Sequence, residues 1–543
     1  MRRFILLIFC LFGLINFATA RTINLLDAYY MGLGFDATYK TAYAQFLADR
    51  EAAPQALALL LPQLTATANY GKEHERLEDG ASGTFDAYLY ALDASQTLFD
   101  YSAFSQLVSA RASVKQAAFT VAFAEQDLML RVATAYFDVL QAEEILQYAK
   151  EQRDNLKKQL DIVKEQFKVK HATITDVNQA EGFYDIARTD YLSALNTLFD
   201  VEQNLNEVIG DNHGGLAKLK RRFPLVNPRP MNLSIWERKV VRDNLSINAA
   251  RYGIDAARAT IEVERGGNFP VVNAVANITR QRLPNASVQF AIAQRFTNRS
   301  AGVAINFPFF QGGFVLSRTR QAEALYQRSL AEFDNAYNVN IRDARQAFNG
   351  IVIGRRLVIA GYEAIRSNTD ALRNTQEGYK VGTESVIDVI VQQTNLFQAQ
   401  TQLADEKYTY LLDIIRLELA AGSLSLKTLA QINAYLEHPK GYQYHIPLHH
   451  YQKRYRFYLS KHVHTDYRKL QLEMPKTYEP KKTSDKKRQI KTQQAKSSYH
   501  AKPYRLKQYK KQHHEATQHG HIQTKQKSAA HKLQLHLEMH EES

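Results

Sequence analysis

Two hydrophobic periods alternate along this chain. Between Ser102 and Phe167 there is no Pro or Gly, and Val132, Tyr136, Leu140, Leu146, Leu156, Leu160 and Phe167 recur at combinations of three- and four-residue steps. That spacing lays one apolar stripe along a helix. Some 65 helical residues would extend roughly 100 Å, far beyond the length of an ordinary globular helix. A second such stretch runs from Ser317 to Tyr379, with Gly350, Gly354 and Gly361 as expected softer points. Helices of this length must pack side by side in a bundle or coiled coil.

The other period is two. Leu64, Ala66, Ala68 and Tyr70 alternate with Thr65, Thr67 and Asn69, and Val303, Ile305, Phe307 and Phe309 alternate with Ala304, Asn306 and Pro308. Ala87–Phe99 and Val271–Thr279 alternate less cleanly. Four strands are predicted, and a length near ten residues suits a tilted strand crossing a bilayer. Half of a soluble sandwich would use the same pattern. The polar segments 71–86 and 280–300 are expected to be exposed loops.

The two periods occur in the same order twice. Gln166–Val177 and Gly378–Val389 align at an offset of 212 residues, and Gly210 aligns with Gly422. Leu130-Arg131 matches Ile341-Arg342, Phe137-Asp138 matches Phe348-Asn349, and Leu61-Pro62 matches Phe269-Pro270. Each half therefore reads as a helical stretch (24–60 and 235–265), two strands, a very long helix, a tight turn and a second long helix. The predicted organisation is a signal peptide (1–20), a first repeat (21–210), a linker (211–234), a second repeat (235–437) and a basic tail (438–543).

The signal peptide rests on Arg2 and Arg3, the apolar run Phe4–Phe17 and Ala18-Thr19-Ala20. A single N-terminal anchor helix is the alternative. Cys10 is the only cysteine and follows Phe9 inside the apolar run, so no lipid anchor and no disulfide are expected. No later segment offers the ~18 apolar residues of a spanning helix. A mature chain that enters a membrane must do so as β-strands. Four strands cannot close a barrel, and open edges are not tolerated in lipid. Three copies would supply twelve strands, and the long helices would continue the wall as a tube.

Charge sharpens the division. The net +14 lies in residues 441–543, which carry 22 Lys+Arg against 8 Asp+Glu, while residues 1–440 carry 47 of each. A uniformly basic nucleic-acid-binding protein is thereby excluded. The tail also holds 13 of the 17 His and few aliphatic residues, so disorder is expected. A solvated appendage, binding to anionic envelope polymers or lipid head groups, and loose zinc or copper binding through pairs such as His449-His450 and His513-His514 remain alternative readings.

Together Leu61-Pro62-Gln63-Leu64, Ala133–Leu140, the paired turns, Phe309-Phe310-Gln311-Gly312-Gly313 and the duplicated layout resemble the TolC family of outer-membrane efflux and secretion channels over about residues 22–437. The resemblance implies an α+β membrane protein. It would be a homotrimer with a twelve-stranded barrel, four strands per chain, continued by an α-helical coiled-coil tunnel across the periplasm of a Gram-negative bacterium. It also implies a passive exit duct for a tripartite efflux pump or type I secretion system. The implied partners are a periplasmic adaptor, an inner-membrane transporter of ABC, RND or MFS type, and outer-membrane lipid. A coiled-coil adaptor or surface fibre is the competing reading.

The paired turns carry the candidate site. Thr173-x-x-Asp176 and Ser385-x-x-Asp388 have the form of capping boxes with Asp in the place of Glu. In a trimer an inward Asp becomes a ring of three carboxylates that favours cations and crowds like charges, raising their pKa. The resemblance places Asp388 at the pore aperture, and Asp176 and Tyr379 in polar links that hold the tip closed. Val391 and Glu384 depart from the family pattern. Glu384 is expected one turn before Asp388, and Lys168, Lys170 and Lys380 are the alternatives that could serve Asp176. There is no phosphate-binding loop and no zinc motif. Gly32-Leu33-Gly34 reads as a break near a helix start rather than a dinucleotide site. No enzyme, cofactor or resident metal is expected.

Overall fold

The computed structural model describes residues 22–76, 82–210, 214–283 and 294–437. The expected signal peptide, the start of the linker (211–213) and the His-rich tail lie outside these residues.

The first repeat opens with α1 (Leu25–Phe35), α2 (Ala37–Arg50) and α3 (Ala52–Ala58). Strands β1 (Gln63–Arg76) and β2 (Ser82–Phe99) follow, then α4 (Tyr101–Lys168) and α5 (Ile174–Ile209). The second repeat has α6 (Leu233–Asp243), α7 (Leu245–Arg265), β3 (Val271–Leu283), β4 (Gln294–Asn306), α8 (Phe314–Val381) and α9 (Val386–Ala420). A short α10 (Leu426–Asn433) closes the described chain. Helices α4 and α8 are each 68 residues long, so each spans roughly 100 Å. No helix among the described residues is long and apolar enough to cross a membrane.

The four strands form one antiparallel sheet in the order β1-β2-β3-β4. They run farther than expected. Pairing continues from Tyr70↔Tyr88 to Arg76↔Ser82, and from Thr279↔Asn298 to Leu283↔Gln294. Much of the two polar segments is therefore strand. Backbone pairing does not need apolar side chains, so the ladder outruns the apolar pattern. At the other end β4 stops at Asn306, and Phe307 and Phe309 lie beyond it, because Pro308 has no N–H to donate to a ladder.

In the long-helix region the packing order is α5, α4, α9, α8, and nearer the sheet α7 lies between α4 and α8. One core cluster joins α1, α4, α5, α8 and α9 around Leu128, Tyr136, Phe137, Leu205, Phe348, Tyr410 and Ile415. A second, toward the turns, gathers Leu156, Leu160, Val163, Val177, Val386 and Ile390. The glycines of α8 are contact points, not soft points. The helix is continuous, a Cβ on Gly354 would stand 3.5 Å from Tyr410 Cβ, and one on Gly361 would stand 2.9 Å from Leu403 Cδ1. Gly32 and Gly34 likewise lie inside α1, and the break comes at Asp36. A Cβ on Gly32 would meet Val132 at 2.9 Å.

Asp36 ties the helices before the sheet to α4. Its Oδ1 accepts from Tyr39 N–H (2.6 Å), and Arg131 donates to both of its oxygens at 2.6 and 3.0 Å. Burial pushes its pKa up, but these bonds and the guanidinium charge prevail and hold it below the usual carboxylate range. The linker is fastened by the Tyr136 hydroxyl, which donates to Ala217 O (2.9 Å), and by Tyr410, which donates to Val226 O and accepts from Val226 N–H, both at 2.7 Å.

Arg131→Met would leave the Asp36 carboxylate, 5% exposed, without its partner. A loss of about 3 kcal/mol is expected at pH 7, read as a lower denaturation midpoint. Because the Asp36 pKa is depressed on folding, the wild-type advantage is present above the ordinary carboxylate pKa and vanishes as pH falls through the lowered one. The difference between the two proteins should therefore shrink in acid.

Candidate pore-lining sites

Strand register turns the period-two pattern into two faces. On one face Leu64, Ala66, Ala68 and Tyr70 stand beside Ala94, Leu92, Tyr90 and Tyr88, and these beside Ala276, Ile278, Arg280 and Arg282. Val303 and Ile305 complete that face, and Leu64 and Ile305 are 72% and 69% exposed. On the other face Thr65, Asp93, Asn277 and Ser300 form one transverse row. Asn277 Nδ2 donates to Asp93 Oδ1 at 2.5 Å. A sheet that is apolar outward and polar inward suits a barrel wall between lipid and water. Where strands give way to helices, exposed aromatic residues collect: Phe307, Phe309 and Phe310, with the Phe269 ring tilted against Tyr101 at 4.9 Å. Rings at this level match the aromatic belt of a membrane interface.

Both turns close as capping boxes. Asp176 Oδ2 accepts from Thr173 N–H and Oγ1–H, each at 2.8 Å, and Thr173 Oγ1 accepts from Asp176 N–H at 3.2 Å. In the second repeat Asp388 Oδ2 accepts from Ser385 N–H (2.9 Å) and Oγ–H (2.6 Å), and Ser385 Oγ accepts from Asp388 N–H at 3.2 Å. The Thr173 backbone and side-chain bonds hold Asp176 below the usual carboxylate range, and the Ser385 hydroxyl and backbone bonds do the same for Asp388. Within one chain the shift is thus opposite to that expected from crowded charges.

The turns also differ. Gly382 takes the left-handed conformation (φ +79°) that ends α8, and the equivalent Lys170 adopts it too (φ +64°). A residue with a Cβ pays more for that geometry than glycine. Tyr379 Oη accepts from Gln166 Nε2 at 2.6 Å, which links α8 to α4. Among the described residues Asp176 bonds Thr173, and no hydrogen bond joins it to Tyr379. Lys168 and Lys380 pair with Glu165 and Glu377 of their own helices, both at 2.7 Å. Glu384 is not one helical turn before Asp388. It precedes the N-cap and lies against Gly378, where a Cβ would stand 2.6 Å from its Cγ. Asp388 and Val391 are both exposed on α9, three residues apart and so on one face.

The family model described as outer membrane efflux protein matches residues 40–211 and 238–423. The chain belongs to the outer membrane efflux protein family. Outer membrane protein TolC of Vibrio cholerae is 29% identical over 415 residues, covering 76% of this chain and 94% of that protein. The proteases secretion protein PrtF of Dickeya chrysanthemi is 26% identical over 433 residues, covering 77% and 92%. Among solved structures, the Campylobacter jejuni CmeC outer membrane channel superposes with a TM-score of 0.64 at 14% identity, covering 76% of this chain and 90% of that one. As a member of the outer membrane efflux protein family, the chain is an outer-membrane exit duct of the kind used in efflux and type I secretion, with its helical tunnel in the periplasm.

Asp93, on the polar face of the sheet, is a candidate that period counting passes over. It is the single charge between Ala87 and Phe99, a signal visible in the sequence, but only the register places it beside Asn277.

The lowered pKa of Asp388 sets the acid behaviour of this turn. Its capping contribution is present above the unfolded carboxylate pKa of about 4 and is lost as pH falls through the folded value. Amide exchange in the first turn of α9 should therefore accelerate in acid while mid-helix amides stay protected. An Asp388→Asn chain should show no such acid step.

Proposed function

We propose that three copies of the chain close a twelve-stranded barrel. Its lumen would be lined by the Thr65-Asp93-Asn277-Ser300 row, and its periplasmic tunnel would narrow at Asp388. One observation carries this reading: an amphipathic four-stranded sheet with an open edge at β1 and another at β4 runs directly into 68-residue helices. Backbone groups along those edges need partners in lipid. Pairing β4 of one copy with β1 of the next supplies them. The outermost long helices, α5 and α8, expose Leu195 and Phe199, and Ile353 and Leu357, at helical spacing, as seams between copies require.

Asp388 contributes a carboxylate ring at the aperture, with Glu384 beside it on the turn. Tyr379 and Asp176 belong to the contacts that hold the tip closed, and Thr173 and Ser385 cap the helices there. The duct is passive and not an enzyme. It works with a periplasmic adaptor and an inner-membrane transporter of ABC, RND or MFS type, which choose the cargo. Two repeats joined by the 211–234 linker build the wall, and the basic 438–543 segment is an appendage to it.

Purified full-length protein in a planar bilayer should form cation-selective channels. Asp388→Ala is expected to lower selectivity for cations and weaken block by divalent ions severalfold. Channels indistinguishable from wild type would reject the aperture assignment. A protein that never conducts would leave a non-channel envelope role, such as an adaptor or fibre.

A further inference from the structure

Charge on the sheet is sorted by face. By register position, the outward face carries Lys72, Arg76, Arg280, Arg282 and Arg299 with one acid, Asp86, among the described residues. Among the described residues the inward face carries Glu73 and Asp93 and no cation. Function as a conduit does not require cations on the lipid side, where charge is costly in the apolar band.

Their height explains the placement. Arg280 lies about nine residues beyond Val271, roughly 31 Å along the strand at ~3.4 Å per residue. A tilt of about 40° leaves a height of roughly 23 Å, close to the ~25 Å apolar band of an outer-membrane barrel. The arginines therefore sit at the far rim of the apolar face, at the outer leaflet. In register order Tyr90 stands beside Arg280, Tyr88 beside Arg282, and Ile278 beside Arg299. The Tyr88 and Tyr90 rings lie 5.4 Å apart. Arg280 and Arg299 are exposed. Arg282 Nε is buried and meets no hydrogen-bond partner among the described residues, an unmet donor in a guanidinium whose geometry suits two phosphate oxygens.

We infer that Arg280, Arg282 and Arg299, flanked by Tyr88 and Tyr90, form a binding site for the phosphate groups of outer-leaflet lipid. The site rests on the reading of this sheet as a lipid-facing barrel wall. Each arginine at an anionic lipid surface strengthens binding severalfold. Three per chain make the rim an anchor that fixes how deeply the barrel sits.

The test uses full-length protein in phosphatidylcholine vesicles, titrated with bisphosphorylated lipid A while the dissociation temperature of the assembly is followed. Wild type should be stabilised. R280Q/R282Q/R299Q should need at least tenfold more lipid A for the same shift, while R280K/R282K/R299K, which keeps the charge, should lose much less. Lipid A stripped of both phosphates should do little for either. Equal responses of wild type and the Gln variant would overturn the site, as would an equal shift from inorganic phosphate alone. Channel conductance measured on the same vesicles separates the two ideas. Conducting protein with equal lipid responses removes only the lipid site, whereas protein that never inserts removes the barrel reading and the site together.

Discussion

Everything above the tunnel depends on one constraint: a backbone N–H or C=O in hydrocarbon must be paired. A four-stranded sheet satisfies its two inner strands and leaves β1 and β4 half satisfied. On the proposed reading the chain is incomplete in lipid by itself, and further copies of it supply the missing edges. In the proposed assembly, chains that share strands must share helices too, because Phe99 passes into α4 through the single N-cap residue Asp100. Its Oδ1 accepts from Ala103 N–H at 3.0 Å. In that assembly so short a junction would let the barrel set the position of the tunnel wall.

The helices were the most legible elements. An uninterrupted apolar stripe without Pro or Gly leaves few alternatives, and the observed ends fall within a few residues of those expected. Strand ends were less legible, because hydrogen bonding between backbones does not read side-chain polarity. Glycines in α8 misled for a related reason. Intrinsic propensity marks them as weak points, but the neighbouring helix approaches where a side chain is missing, and Tyr410 and Leu403 fill the space.

At the tip, spacing alone revealed both capping boxes, since Ser/Thr-x-x-Asp encodes a local geometry. Glu384 was misplaced because counting back four residues assumes a helix, and the helix begins only after Ser385. The partner of Tyr379 was also hidden. Gln166 is 213 residues away, and no local pattern joins them. The sorting of charge between the sheet faces needed the register, which no single strand contains.

The capping boxes bear on how such a duct can change over evolutionary time. The Asp388 carboxylate that would present charge to the channel also closes the first turn of α9. With Asp388 at the aperture as proposed, a substitution that retunes it also loosens its own scaffold, and the two traits cannot be selected separately. Val391, on the same face but free of capping duty, can be exchanged for a charged residue without that penalty. Variation in selectivity should therefore collect beside the capping acids, while the acids themselves stay put.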